Sequence, residues 1–574
     1  MLFLSVSVFI QFVKTRNDNI PGSKVFYMVA KIEVRGGVTA LIINGTYVSE
    51  MAYITYRPEY NRYSDFEKAG VRLFSVNLNF SEMPLNEYAP VLVFQKGIFE
   101  GDEPDFSIVD RNFDQILNAC PDAYIFPRVN VNLPRKWEEG HPDELCEKGY
   151  GERTRFSFAS DIWANDVKKY LSDLIYYIEN SKYKDRVIGY QLAAGNTEEW
   201  LAIDPQAGYG LRAKEKFELY CKERKLDMNE ENYYLFMSET VASRIEEMSR
   251  LVKELTGHKK LVGCFYGYTL FVDRNNCHNA LERLLECESL DFLCSPLTYA
   301  DVRAPGIDLY PMIPIASLRQ HNKLYFSEND IRTHLSTAIH DHPNYTLPIW
   351  YGHDQETVCE QMKLAFCRAM LYGYGMWWFD MWGGWYADDS YMELIERMSV
   401  LFKDGMDRPD VDIAVFVDEK SICRSHDASI LIKDTVRSLG LCGAPYDAYL
   451  ASDFDDVYRH YKACVFIVPA ETPLADTCIK IAEETSMPRI IIRKEAPTAA
   501  ELRSDLKALG IDISIEREAV VYRSERYISL YTGEAGEYDF CDRGMQSFTE
   551  LFDGTKITFP TVLPKGKLLL FERK

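Results

Sequence analysis

A repeating order of strand and helix is the feature that most limits what this 574-residue chain can fold into. Apolar runs of strand type alternate with amphipathic helical stretches at least seven times in about 350 residues. Such alternation predicts parallel strands joined by helices, and this number of units fits a (β/α)8 barrel with enlarged loops better than an open sheet. The predicted barrel strands are 71–76, 123–129, 187–192, 261–266, 290–294, 323–327 and 375–379.

Further domains are predicted around this barrel, which we place at residues 28–410. Residues 29–60 read as short strands with a hairpin turn at Asn44-Gly45. Residues 411–515 predict a flavodoxin-like, doubly wound α/β domain, with strands at 412–417, 463–468 and 489–492. Its strand-to-helix turns contain neither G-x-G-x-x-G nor G-x-x-x-x-G-K-[ST], the common phosphate-binding motifs. We therefore expect no dinucleotide cofactor. Residues 516–574 are rich in Tyr, Val and Thr and predict a small antiparallel β domain.

The composition limits the cellular compartments and the classes of partner that we expect for this chain. The chain has 65 Lys and Arg against 87 Asp and Glu, a formal charge of −22, which argues against nucleic acid and anionic membranes as partners. Its 14 cysteines include no C-x-x-C pair, so we expect reduced core cysteines, no metal site and a cytoplasmic location. The apolar run 1–12 has no preceding Lys or Arg, so we interpret 1–27 as an extension without fold content before a second start at Met28.

Candidate catalytic carboxylates follow two of the predicted strands. Glu198 and Glu199 come after strand 187–192, between Asn196 and Trp200. Glu328 directly ends strand 323–327. Because barrel enzymes carry their chemistry at the C-terminal ends of the strands, these positions favour catalysis over solvated loop charges.

Asp330 and Arg332 follow Glu328 closely. We expect Arg332 to keep Glu328 ionised, since a nearby cation lowers the pKa of a carboxyl group. A structural ion pair between Asp330 and Arg332 is the alternative, and the two roles are compatible.

Aromatic side chains form the second part of the predicted site. All eight Trp lie between Trp137 and Trp385, and four of them fall within nine residues beside a Gly pair. Such a cluster suggests a wall on which the flat face of a sugar ring stacks. The predicted substrate-binding residues are Arg128, Asn130, Trp137, Asn196, Trp200, Tyr266, Tyr299, Asp330, Arg332, Trp377, Trp378, Asp380 and Trp382. Two carboxyl groups in an aromatic cleft are the requirements of glycoside hydrolysis.

At these residues the sequence resembles clan A glycoside hydrolases, most nearly the β-galactosidase-like family 42, over roughly residues 60–500. The resemblance rests on Glu328 at the end of a late strand, the Trp-rich last strand, and three further segments: Pro134 to Pro142, Ser160 to Trp163, and Arg186 to Gln191. It implies an acid/base after the fourth strand, Glu199 or Glu198, with Glu199 preferred because Trp200 follows it, and Glu328 as nucleophile after the seventh. It also implies that the α/β domain mediates trimerisation.

The sequence departs from that pattern at one point and leaves alternatives open. The family's Asn directly before the acid/base is missing, because Asn196 stands two residues before Glu198. We therefore expect a retaining, exo-acting β-glycosidase that is β-galactosidase-like, with β-mannoside or another β-glycoside as alternative substrate. A non-catalytic carbohydrate-binding barrel and an oxidoreductase that uses the α/β domain are the rival hypotheses.

Overall fold

The computed structural model describes residues 28–82, 96–146, 155–202, 210–336, 353–403 and 406–573. The predicted extension at 1–27 lies outside these residues and stays a prediction. Three short antiparallel strands precede the barrel: β1 (Ala30–Arg35), β2 (Val38–Ile43) and β3 (Thr46–Tyr47). The predicted turn joins β2 to β3, with Asn44 and Gly45 at φ of 50° and 83°, the left-handed region that such a turn requires.

Parallel strands close into a barrel, which confirms the predicted fold class. They are β4 (Met51–Thr55), β5 (Leu73–Asn79), β6 (Tyr124–Ile125), β7 (Arg128–Asn130), β8 (Gly189–Ala193), β9 (Leu261–Phe265), β10 (Phe292–Pro296), β11 (Leu324–Asn329) and β12 (Gly375–Phe379). β6 and β7 share the third of eight positions, since both pair with β5. β4 pairs with β5 and with β12, so the ring is closed.

Helices surround this ring. They are α1 (Tyr63–Lys68), α2 (Ser107–Ala119), α3 (Arg135–Gly140), α4 (Asp161–Glu179), α5 (Leu211–Arg224), α6 (Glu230–Leu255), α7 (Leu281–Leu285), α8 (Ile315–Gln320), α9 (Gln355–Tyr372) and α10 (Asp389–Lys403). Local chemistry sets their ends: Ser160 caps α4 by accepting the N–H of Trp163, and Gly373 ends α9 with a φ of 67°.

A four-stranded parallel sheet follows, as predicted. Its strands are β13 (Ile413–Val417), β14 (Tyr446–Leu450), β15 (Ala463–Ile467) and β16 (Arg489–Ile492), in the order β14-β13-β15-β16. Its helices are α11 (Glu419–Cys423), α12 (Ala428–Leu441), α13 (Phe454–Val457), α14 (Pro473–Glu484) and α15 (Ala499–Ala508). Helices α12 and α15 pack in one apolar cluster and α13 and α14 in another, so both faces of the sheet are covered.

The sequence interpretation missed β14. A charged residue, Asp447, stands in the middle of that strand and breaks its apolar run. Its carboxylate is buried and lies 2.5 Å from the guanidinium of Arg319, on α8 of the barrel. The cationic partner of this carboxylate therefore lies in another domain, and the hydroxyl of Tyr461, in the same domain, also donates to it at 2.7 Å.

The last domain is antiparallel, as predicted. Its strands are β17 (Ala519–Arg523), β18 (Tyr527–Thr532), β19 (Gly536–Tyr538), β20 (Ser547–Thr549), β21 (Lys556–Thr558), β22 (Thr561–Leu563) and β23 (Leu568–Glu572). A hydrogen bond from the Tyr522 hydroxyl joins this domain to Asp308 of the barrel, and the two oxygens of Asp308 also lie 2.9 and 2.8 Å from Arg368 Nη1 within the barrel.

Two further observations concern the chain as a whole. All 14 cysteines are free thiols, and twelve of them are buried, in agreement with the expected reduced core. Within the described ranges, no helix has the length and apolar character needed to cross a membrane.

Candidate active site

A buried guanidinium, Arg128 at the start of β7, lies at the centre of the candidate site. Its Nη2 donates to Glu328 Oε2 at 2.7 Å, and its Nη1 lies 3.7 Å from Glu198 Oε2. The same side chain donates to the hydroxyl of Tyr56 at 3.1 Å and to Gln191 Oε1 at 3.2 Å. Arg128 therefore connects carboxylates from two different strand ends.

Aromatic rings enclose this cation. The guanidinium carbon lies 4.7 Å from the ring centroid of Phe265, 5.4 Å from that of Phe379, and 5.7 Å from those of Tyr56 and Trp377. Arg128 is only 1% exposed. Charge–charge interactions are stronger in such a water-poor setting than at the surface.

Glu198 is held by side-chain amides. Asn77 Nδ2 donates to both of its carboxylate oxygens, at 2.8 and 2.9 Å, and Asn130 Nδ2 donates to Oε1 at 2.9 Å. The side chain is 1% exposed. Glu198 is thus a fixed, fully bonded carboxylate beside Arg128.

Glu199 occupies a different environment, although it is the next residue. It is partly exposed, and its carboxylate accepts the hydroxyls of Tyr268 at 2.8 Å and Thr197 at 2.5 Å. Burial raises the pKa of Glu199, with the charge of Asp330 adding to the rise, while the two hydroxyl donors and Arg128 oppose it. A partly exposed carboxyl with a raised pKa is suited to donate a proton.

Glu328 lies on β11, where it meets both Arg128 and the last barrel strand. Its Oε2 accepts the indole N–H of Trp377 at 3.2 Å as well as the guanidinium. Burial raises the pKa of Glu328 to about 7; the Arg128 charge opposes this rise, and the charges of Asp330 and Glu199 add to it. Glu328 therefore touches a cation, whereas the direct partners of the Glu199 carboxylate are hydroxyls.

The loop that carries Glu198 and Glu199 has an unusual backbone. Thr197, Glu198 and Trp200 have φ of 53°, 67° and 60°, which non-glycine residues seldom adopt. Behind the loop, the buried imidazole of His278 faces the backbone carbonyls of Glu199 and Trp200, and burial lowers the pKa of His278 to about 3. A neutral ring packs under the loop, and this tertiary support fits the concentration of strained backbone at functional sites.

A second charged cluster follows Glu328. Asp330 Oδ1 lies 2.5 Å from Arg303 Nη2, and Asp330 Oδ2 accepts Arg332 Nη1 at 3.0 Å and the Tyr299 hydroxyl at 2.8 Å. The predicted pair of Asp330 and Arg332 is present. In the described structure Arg332 binds Asp330 and stacks over Trp385 at 4.7 Å, while Arg128 is the cation bonded to Glu328.

The Trp-rich last strand divides its side chains between two faces. Trp377 points to Glu328, and Trp382 packs 5.8 Å from Tyr56 beside the site. Trp378 is fully buried and packs edge-on against Tyr386. Asp380 is buried below them, accepting the Tyr53 hydroxyl and the backbone N–H groups of 384 and 385, and burial raises its pKa to about 6.

The other predicted binding residues make their contacts away from the carboxylates. Trp200 is fully buried and donates to Leu192 O, and Tyr266 donates to two backbone carbonyls. Trp137 donates to Asp166 and stacks on His141. Asn196 is buried within the strained loop, where its backbone pairs with Leu201. Their role as substrate contacts stays a prediction.

The sequence reasoning missed several members of the site. Asn77 directly follows the predicted strand 71–76 and lies near the C-terminal end of β5, so the strand-end rule applies there too. Tyr268 follows β9 by three residues and was available to the same rule. Tyr56, Gln191 and Arg303 carry no local signal, because only the closed ring of strands brings them to Arg128 and Asp330.

Comparison with known proteins gives structural matches only. No family model matches the chain, and no curated protein matches it. Among solved structures, it is similar to the β-galactosidase from the psychrophilic Marinomonas ef1, with a TM-score of 0.63, 10% identity, and coverage of 92% of this chain and 100% of the other. The β-galactosidase from Bacillus circulans sp. alkalophilus gives 0.61 at 11% identity, covering 92% and 99%.

A third similar structure is the GH42 exo-carrageenase from Bacteroides ovatus, with a TM-score of 0.56, 12% identity, and coverage of 99% of this chain and 87% of the other. At such identities the likeness shows the fold alone. The likeness covers 92–99% of this chain and therefore extends beyond the barrel. The chain therefore has the fold of these β-galactosidases.

Proposed function

We propose that this protein is a retaining β-glycosidase, with Glu328 as the nucleophile and Glu199 as the acid/base. The observation that carries the proposal is the unequal environment of two neighbouring carboxyls at the barrel mouth. Glu328 is bonded to Arg128, which opposes the rise that burial causes in its pKa, and the partly exposed Glu199 accepts the hydroxyls of Tyr268 and Thr197. A carboxylate fixed beside a cation is suited to attack as a nucleophile, and a partly exposed carboxyl bonded to hydroxyls is suited to exchange a proton with the leaving oxygen.

The reaction follows from these roles. The Glu328 carboxylate attacks the anomeric carbon, and the bond to the leaving oxygen breaks as Glu199 donates its proton to that oxygen. In the second half, the Glu199 carboxylate takes a proton from water, whose oxygen attacks the same carbon. As the water oxygen bonds to this carbon, its ester bond to Glu328 breaks. The carboxylate is regenerated, and the released sugar has retained its anomeric configuration.

Glu198 has a positioning role in this proposal. Its carboxylate holds Asn77, Asn130 and one edge of Arg128, so the guanidinium keeps its other edge on Glu328. Glu198 is fully bonded and 1% exposed, which is unsuitable for a group that must meet the leaving oxygen. This favours Glu199 as the acid/base, the choice that the resemblance left open.

A β-galactoside is the substrate that we propose first, because two of the similar structures are β-galactosidases. Other β-glycosides use the same machinery, and the similar exo-carrageenase gives a reason to include sulfated galactans in a screen. Exo action, assembly as a homotrimer through the α/β domain, and a cytoplasmic location complete the proposal. Light scattering on the purified chain tests the trimer.

The deciding experiment is a screen of aryl β-glycosides with the wild-type chain and two matched variants. Glu328→Gln should abolish turnover and covalent labelling by a 2-deoxy-2-fluoro glycoside. Glu199→Gln should slow poor leaving groups far more than activated ones, because only poor leaving groups need the proton. Sugar binding without turnover of any tested glycoside would instead support the carbohydrate-binding alternative.

A further inference from the structure

We propose that Glu419, in the α/β domain, is a positioning residue that fixes the acid/base loop of the barrel, residues 196–202. The Glu419 side chain is buried between the two domains, with 7% exposure. Its Oε1 accepts the backbone N–H of Leu281 at 2.6 Å, and its Oε2 accepts that of Glu282 at 3.1 Å. One carboxylate of the α/β domain therefore bonds to the first two residues of α7, which belongs to the barrel.

The residues that lead to these two N–H groups, 273–282, are here called the supporting segment. Near its start, Arg274 Nη1 donates to Cys423 O at 3.2 Å, and the Ser429 hydroxyl donates to the carboxylate of Asp273. The two partners belong to α11 and α12 of the α/β domain. The supporting segment is therefore bonded to the α/β domain at both of its ends.

The middle of the supporting segment contacts the acid/base loop. Asn276 O accepts the backbone N–H of Ala202 at 3.3 Å, at the end of the loop. The centroid of the His278 ring lies 4.6 Å from that of Tyr268, whose hydroxyl donates to Glu199 at 2.8 Å. The supporting segment therefore contacts both the backbone of the loop and the tyrosine that donates to its carboxylate.

Both pieces of backbone depend on contacts with their surroundings. Thr197, Glu198 and Trp200 of the loop have positive φ, and so does Cys277 of the supporting segment, at 61°. Such conformations are unfavourable for non-glycine residues and persist only where neighbouring groups fix them. Release of the supporting segment at Glu419 should therefore let the acid/base loop open more often.

The consequence for catalysis rests on the proposed function, in which Glu199 donates a proton to the leaving oxygen. A displaced acid/base should slow glycosides with poor leaving groups most, because these need the proton. The effect on the loop itself does not depend on that role, and it can be measured without any substrate.

Glu419→Gln is the test variant, because glutamine keeps the size of the side chain but turns an N–H donor toward one of the two backbone N–H groups. Asp453→Asn is the matched control. Asp453 is a buried carboxylate of the same domain, 4% exposed, and its partners in the barrel are Ser317 and His321, outside the supporting segment. If Glu419→Gln does not fold, Glu419→Asp replaces it, since aspartate is too short to reach both N–H groups.

Hydrogen exchange of the full-length chain, followed by mass spectrometry, measures the loop directly. Exchange in peptides that cover 196–202 should be about tenfold faster in Glu419→Gln, and within about twofold of wild type in Asp453→Asn. In Glu419→Gln, kcat/KM should fall about tenfold for an aryl glycoside with a poor leaving group and stay within about twofold for an activated one.

The outcomes separate this proposal from the proposed function. Faster loop exchange confined to the Glu419 variant supports the proposal, even where Glu199→Gln shows no dependence on the leaving group and so refutes the role of Glu199. Unchanged loop exchange in a folded Glu419 variant overturns it. An equal rise in Asp453→Asn also overturns it, because the effect would then belong to the domain contact in general.

Discussion

Replacing Arg128 by Gln tests whether this cation sets the charge of Glu328. The guanidinium donates to Glu328 Oε2 at 2.7 Å inside an aromatic enclosure. A hydrogen bond to a charged group contributes about 1.5–3 kcal/mol, and one pKa unit corresponds to about 1.4 kcal/mol. Loss of Arg128 should therefore raise the pKa of Glu328 by roughly 1–2 units from its value of about 7.

The sign of the effect on activity follows from the role of Glu328. The nucleophile works as a carboxylate, so a higher pKa moves the acid limb of kcat/KM toward higher pH. Below that limb the charged fraction, and with it kcat/KM, should fall about tenfold to a hundredfold. Above pH 9 the loss should be smaller, because Glu328 ionises in both proteins.

The assay is kcat/KM against pH with an activated aryl glycoside, for which the acid/base contributes little. Arg128→Lys is the matched control, since it keeps the cation and should move the acid limb less than Arg128→Gln does. Thermal unfolding with the wild-type chain alongside shows whether each variant is folded. An acid limb that stays at its wild-type position in folded Arg128→Gln would refute the reasoning.

Three further perturbations follow from the same contacts. Tyr268→Phe removes a donor that lowers the pKa of Glu199, so the alkaline limb of kcat/KM should move to higher pH; an unchanged limb contradicts the assignment of Glu199. Burial raises the pKa of Glu50 to about 8, so the folded state favours the protonated form of this carboxyl. The free energy of unfolding should therefore fall as pH rises from about 4.5 to 8, by on the order of 4 kcal/mol. Glu50→Gln should flatten this fall, measured as the free energy of unfolding in denaturation series across that pH range. Asp308→Asn leaves the buried Arg368 without its counter-charge and should cost about 3–5 kcal/mol, seen as a lower unfolding temperature, and an unchanged temperature would mean that the pair is dispensable.

The fold could be predicted because it depends on local patterns of apolar and polar residues in the sequence. Strand-type runs such as 261–266 and 375–379 are apolar on both faces, as expected for strands covered by helices, and the order of strands and helices leaves few topologies. The strand at 446–450 was the exception, because Asp447 depends on Arg319 from another domain.

The candidate site was predictable only in part. Glu328 and the neighbouring Glu198 and Glu199 follow apolar strands, and the strand-end rule indicates such positions. That rule cannot say which of two adjacent carboxyls is exposed, because their surroundings differ through Asn77 on β5 and Tyr268 in the loop after β9.

By itself, the sequence determined the class of fold, the order of the three domains and the strand ends where chemistry is possible, since all of these depend on residues close together in the chain. The tertiary structure decided which charged side chains are in contact. Arg128 lies 200 residues before Glu328, and closure of the barrel makes them partners in a water-poor enclosure. Which carboxyl binds a cation is a property of that enclosure, because electrostatic energies depend on distance and burial and not on separation along the chain.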